Sequence, residues 1–111
     1  MTTLVTGGTG FVGSNIVKAL AQRDHTVISF DLVPPDELLK KYLEPWTKQV
    51  IFMQGDILDK ADLEHLVSQN ITHIVHAAVF TGILPEIEVA RSYSIVDINV
   101  MGTTNLLELA C

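Results

Sequence analysis

The chain has 111 residues, 48% of them hydrophobic and 18% charged, with a mean hydropathy of +0.35 and a formal net charge of −6. That length accommodates one domain, and that composition supports a packed core and sets disorder aside. Seven Lys and Arg against thirteen Asp and Glu form no basic stripe able to displace counterions, so no nucleic-acid partner is expected.

Thr2 to Thr6 is short, apolar and β-branched and stops at Gly7-Gly8, which reads as a buried strand. From Phe11 the apolar period lengthens. Phe11, Val12, Ile16, Val17, Leu20 and Ala21 recur at helical spacing, and this helix is predicted to end near Arg23-Asp24. Thr26 to Phe30 is a second strand, closed by Asp31. Pro34, Pro35 and Pro45 bracket Asp36 to Leu43, a stretch compatible with a short helix, and residues 32–49 as a whole read as an irregular surface crossing. Val50 to Met53 is a third buried strand, and Asp59 is placed to cap a helix running to about Gln69. A fourth strand centres on His73 to His76, Gly82 and Pro85 mark a loop, and a long helix is predicted from about Ser92 onward. Alternating helices and continuously apolar strands imply an α/β fold, a Rossmann-type doubly wound parallel sheet covered on both faces. Right-handed crossovers and the glycine turn give about four strands in the order 3-2-1-4.

Cys111 is the single cysteine, so no internal disulfide is expected, and His25, His65, His73 and His76 are not spaced as metal ligands. No apolar stretch is long enough to cross a bilayer, and the chain reaches glycine by position 7 in a way unlike a signal peptide. The expectation is a cytoplasmic protein with no metal and no membrane partner.

Gly7, Gly10 and Gly13 lie in Thr6-Gly7-Gly8-Thr9-Gly10-Phe11-Val12-Gly13, between the first strand and the first helix. In that setting Gly7 permits a tight turn, Gly10 lets backbone N–H groups approach a pyrophosphate, and Gly13 lets the helix pack close to the sheet. Three glycines alone also fit an ordinary strand-to-helix turn. Two features favour a dinucleotide: the helix that follows, whose N-terminus attracts phosphate, and Asp31 about 20 residues on. A carboxylate there accepts ribose hydroxyls and repels a 2′-phosphate, and no Arg or Lys occupies Gly8, Leu32 or Val33. NAD is therefore favoured over NADP.

Five motifs in order resemble the extended short-chain dehydrogenase/reductase family, the NAD-dependent epimerase/dehydratase group. They are the glycine loop, Asp31, Gly55-Asp56-Ile57, His76-Ala77-Ala78, and Asn99-Val100-Met101-Gly102-Thr103-Thr104-Asn105-Leu106-Leu107-Glu108. The resemblance implies that Phe11 and Val12 supply pyrophosphate donors, Asp31 holds the ribose, and Asp56 and Ile57 meet the adenine. Asp56 fits a turn or cap equally well. By the same resemblance Ala77, Ala78 and Val79 line the cofactor wall, alongside a role in core packing. His76 reads as a satisfied buried histidine, and Thr103, Thr104 and Asn105 as packing and capping residues. Asn99 is the one supporting residue for catalysis that the resemblance implies, ordering a water near the active site; the alternative is a solvent-facing amide.

Such enzymes depend on a Tyr-x-x-x-Lys pair that acts as acid and base. Here Tyr42 is followed four residues on by Trp46, and Tyr93 by Asp97. Residues 1–111 therefore read as the N-terminal part of an NAD(P)-binding Rossmann domain without its substrate-binding part, inactive alone and with a bare fourth-strand edge prone to self-association. The parent is expected to be an NAD-dependent epimerase/dehydratase-type oxidoreductase acting on a small-molecule substrate, a nucleotide sugar foremost. The alternatives are a hydroxysteroid dehydrogenase-like enzyme and a non-catalytic NAD-binding scaffold. A homodimer through the last helix is the expected assembly.

Overall fold

A computed structural model describes residues 2–78 and 101–110. Strands β1 (Thr2–Thr6), β2 (Thr26–Asp31), β3 (Val50–Gln54) and β4 (His73–His76) form one sheet in the order β3-β2-β1-β4, with every pairing parallel. Helices α1 (Phe11–Ala21), α2 (Glu37–Tyr42), α3 (Lys60–Val67) and α4 (Gly102–Ala110) accompany it. The strand order and the Rossmann-type arrangement are those the sequence predicts.

Continuous apolar strands follow from a core on each side of the sheet, because successive side chains point to opposite faces. Leu4, Ile28 and Phe30 pack with Ile57, Leu63, Leu66 and Leu106 on one face. Their neighbours Val5 and Val27 pack with Val17, Ala21, Leu43 and Val50 on the other. Full burial of each such aliphatic side chain contributes roughly 1.5–3 kcal/mol. The coverage is uneven, which corrects the expectation of a fully buried third strand. In β3 only Val50 is buried and Ile51 is exposed, while β4 is intermediate or exposed throughout. Both are outermost strands among the described residues. Beside β4, an apolar cleft of ≈ 590 Å³ is lined in part by Leu66, Ile71, Ile74, Leu106 and Leu109.

Helix α1 closes as expected: Asp24 adopts a left-handed φ of 63°, and the Arg23 and Asp24 amides donate back to Leu20 and Ala21. The crossing between β2 and β3 is more ordered than the sequence suggested. Asp36 caps α2 by accepting from the Leu39 amide at 2.8 Å, and a 3-10 segment, Glu44–Gln49, follows with Pro45 in its first turn. Leu43 is buried between them, and the Lys18 ammonium sits 4.4 Å from the Tyr42 ring centroid and 5.5 Å from that of Trp46. These cation–π contacts tie the crossing to α1. Asp59 caps α3 as predicted, accepting from Ala61, but the helix ends at Val67 rather than Gln69, with Ser68 as its cap and Asn70 at φ 56°. The beginning of the long C-terminal helix, and the loop at Gly82 and Pro85, lie outside the described residues. No helix among the described residues is long and apolar enough to cross a membrane.

Ser29, at the centre of β2, is 1% exposed, and among the described residues its Oγ finds no hydrogen-bond partner. A side chain on Gly8 would run into it. An unpartnered buried hydroxyl costs about 1–3 kcal/mol in lost hydration. Ser29→Ala is therefore expected to leave stability unchanged or raise it by about 1 kcal/mol, measured by urea unfolding. A clear loss of stability would show that the hydroxyl is bonded after all.

Candidate functional site

The glycine loop connects β1 to α1 at the carboxyl end of the central strands. Gly7 has φ +68°, its amide donates to the Phe30 carbonyl at 2.9 Å, and a Cβ there would lie 2.8 Å from the Ala78 backbone. Gly13 faces the Gly7 carbonyl so closely that a Cβ would overlap it. Gly10 differs from both: among the described residues the sole nearby atom a Cβ would meet is the Gly7 oxygen, at 3.3 Å.

Gly10 is also the N-cap of α1, and no side chain caps that helix and no acidic residue occupies its first turn. The first-turn amides of Phe11 and Val12 have no intrahelical acceptor by geometry, so they and the helix dipole favour an anion here. Asp31 stands across the loop at the end of β2. Its Oδ2 accepts from the Thr9 amide at 3.2 Å and its Oδ1 from the Val33 amide at 3.1 Å. A carboxylate offers about four lone-pair positions, so each oxygen retains one for an incoming hydroxyl.

At the end of β3, Asp56 accepts from the Leu58 amide at 2.9 Å, which is the turn role, while its own amide donates to the Asp62 carboxylate at 3.0 Å. Its side chain nonetheless lines the same space as the glycine loop. One cleft of ≈ 450 Å³ is bordered by Gly7, Gly10, Phe11, Val12, Gly13, Asp31, Asp56, Ile57, Ala77 and Ala78. Every cofactor-site residue expected from the sequence is thus brought together except Val79, which lies outside the described residues, as does Asn99. Phe30, Leu32, Val33 and Gly55 border the cleft as well and were not singled out by the sequence. The first three flank Asp31 in the chain, and Gly55 packs against the Phe30 ring. Among the described residues no Lys or Arg borders it.

His76 corrects an expectation. It is hydrogen-bonded, as read, but not buried: it is exposed at the end of β4, with Nδ1 2.6 Å from Thr6 Oγ1 and Nε2 2.9 Å from Thr103 Oγ1. Partial desolvation holds its imidazole below the usual histidine pKa. Asn105 is a packing residue as expected, buried and donating to the Ile57 carbonyl at 2.9 Å. Gly102 lies so near Ile57 that a Cβ would strike its side chain. The first turns of α4 therefore support the cleft floor at Ile57.

The family model described as "NAD dependent epimerase/dehydratase family" matches residues 3–111. A UDP-N-acetyl-alpha-D-glucosaminuronate decarboxylase from Bacillus cytotoxicus is 33% identical over 107 residues, covering 96% of this chain and 32% of that protein. A 3 beta-hydroxysteroid dehydrogenase/Delta 5-->4-isomerase from Mycobacterium tuberculosis is 40% identical over 106 residues, covering 94% of this chain and 26% of that protein. Among solved structures, UDP-glucose 4-epimerase from Bifidobacterium longum, in complex with NAD+ and UDP, superimposes with a TM-score of 0.85 at 28% identity, over 98% of this chain and 33% of that one. The chain thus spans about a third or less of the length of these relatives.

Proposed function

This chain belongs to the NAD dependent epimerase/dehydratase family, and from there we propose that it is the dinucleotide-binding part of an oxidoreductase acting on a nucleotide sugar, with NAD as cofactor. One observation carries the reading: the uncapped N-terminus of α1, the Asp31 carboxylate and the small residues Ala77 and Ala78 face a single cleft. The pyrophosphate would rest on the Phe11 and Val12 amides beside Gly10, the adenosine ribose on Asp31, and the adenine against Asp56 and Ile57. Gly7 and Gly13 hold the loop and helix close enough to make that cradle, Ala77 and Ala78 form the wall toward the nicotinamide, and Val79 is assigned to that wall by its place in the sequence. NAD supplies a reversible hydride acceptor when bound. The chain contains no Tyr-x-x-x-Lys pair, so its part in the reaction is to bind and orient the cofactor, and Asn99 is the residue we assign a supporting role.

The preference for NAD over NADP rests on charge. Asp31 would repel a 2′-phosphate, and no cation among the described residues borders the cleft to offset it. Calorimetric titration of the chain is expected to give NAD+ binding tighter than NADP+ by roughly tenfold or more. A folded chain that binds neither would sink the cofactor reading, and equal affinities would sink the NAD preference.

A hydroxysteroid dehydrogenase-like activity is the second reading, favoured by the 40% identity to the mycobacterial enzyme. Turnover of a hydroxysteroid but no nucleotide sugar by the full-length protein would select it.

A further inference from the structure

We propose that His76 is a positioning residue for the nucleotide cleft: a neutral imidazole that accepts the Thr6 hydroxyl at Nδ1 and donates from Nε2 to Thr103, fastening α4 to the cleft wall. The inference rests on the dinucleotide reading and adds to it a residue outside the cleft lining.

Thr6 is fully buried at the end of β1 and holds three consecutive residues of the neighbouring strand end. Its Oγ1 meets His76 Nδ1 at 2.6 Å, its carbonyl accepts from the Ala77 amide at 3.1 Å, and Oγ1 also accepts from the Ala78 amide at 3.2 Å. The Ala78 N–H can only donate, so it occupies one lone pair of Oγ1. If Nδ1 also carried a proton, Oγ1 would accept twice, and the hydroxyl hydrogen of a buried threonine would lack an acceptor among the described residues. The arrangement that satisfies every group has the hydroxyl donating to a bare Nδ1. The ring proton is then on Nε2, and the bond at 2.9 Å runs from Nε2 to Thr103 Oγ1. Partial burial of the ring also favours the neutral form.

The consequence is geometric. Thr103 lies in the first turn of α4, one residue from Gly102 against Ile57 and two from Asn105, which donates to the Ile57 carbonyl. His76 thus joins the Ala77-Ala78 wall to the same helix turn that supports Ile57. Two separate borders of the cleft are held at one spacing through a side chain that is not itself part of the lining.

Two measurements on this chain test the assignment. Nitrogen-15 correlation spectra of the labelled imidazoles are expected to show His76 with an unprotonated Nδ1 and a protonated Nε2, and Thr6→Val to abolish that fixed preference. A His76 protonated on Nδ1 would overturn the hydrogen-bond assignment and the proposal. In calorimetry, His76→Ala is expected to weaken NAD+ binding roughly tenfold. Thr103→Val should give most of the same loss, and the double variant little more, because both changes break one link. Thr103→Val carries the test should His76→Ala fail to fold. Unchanged affinity in a folded variant, with wild-type binding intact, overturns the positioning role alone. No NAD+ binding by the wild-type chain overturns the cofactor reading and this role with it.

Discussion

Replacing Asp31 with alanine is expected to weaken NAD+ binding roughly a hundredfold while leaving NADP+ binding unchanged or slightly improved. Two hydrogen bonds from ribose hydroxyls to a carboxylate are at stake, each worth about 1.5–3 kcal/mol when one partner is charged. NADP+ gains from the same change because its 2′-phosphate no longer faces a negative group in a cleft that no cation among the described residues borders. Asp31 has a second task, since its two oxygens hold the Thr9 and Val33 amides. The alanine variant therefore also loosens the turn after β2. Asp31→Asn separates the two contributions: it keeps an acceptor for one amide but removes the charge. Its NAD+ affinity should fall by roughly tenfold, with most of the discrimination against NADP+ gone. Parallel titrations with both dinucleotides read these effects directly. If both affinities fall by the same factor in the asparagine variant, the Asp31 charge is not the selector and only the turn matters.

The site was more legible in the sequence than the packing that supports it, for a physical reason. Gly7, Gly10, Gly13 and Asp31 act through local backbone geometry and through position at a strand end, and both can be read from spacing. The strand order was legible for the same reason, since a glycine turn and right-handed crossovers leave few alternatives. What spacing does not carry is register. That Ser29 faces Gly8, that Gly55 takes the Phe30 ring, and that Gly102 admits Ile57 all depend on how distant segments align. Nothing in the local sequence of Gly102 distinguishes a close approach from a helix irregularity.

Burial was misread where tertiary position overrides composition. Val50 to Met53 is as apolar as Thr26 to Phe30, yet β2 lies inside the sheet and β3 at its edge among the described residues. His76 reads in the sequence as a satisfied buried histidine. It is instead an exposed ring whose partners, Thr6 and Thr103, lie 70 and 27 residues away. In residues 32–49 the prolines bracketed the short helix that forms, but gave no sign of the 3-10 turn or of the anchor at Leu43. The Lys18 contacts that secure them reach across from α1.

Gly10 and Gly13 belong to one motif, yet the same substitution is expected to damage them in opposite ways. At Gly13 an added Cβ meets the Gly7 carbonyl, and the next contact is the Gly8 Cα at 3.0 Å. Both are backbone, so no side chain can rotate aside. Either α1 moves off the loop or the turn at Gly7, fixed by its left-handed φ and by Ala78, must shift. Overpacking of a side-chain core costs about 1–3 kcal/mol, and a rigid backbone obstacle belongs at the top of that range or beyond it. Gly13→Ala is accordingly expected to cost about 3 kcal/mol, and at the usual scaling to lower the melting temperature by more than ~10 °C. Gly10 already has extended angles, φ −77° and ψ 174°, that alanine adopts without strain. Among the described residues its Cβ would press only on the Gly7 oxygen, at 3.3 Å, a tight contact that a shift of a few tenths of an ångström relieves, so Gly10→Ala should lower the melting temperature by no more than about 5 °C. The new methyl group would instead point toward the space where a pyrophosphate approaches the Phe11 and Val12 amides, and NAD+ binding should fall at least roughly tenfold. Thermal unfolding and calorimetry on the two variants therefore form a crossed pair. Stability lost at Gly13 and affinity lost at Gly10 would support separate roles, whereas a Gly10→Ala chain that binds NAD+ normally would mean that no phosphate passes that glycine.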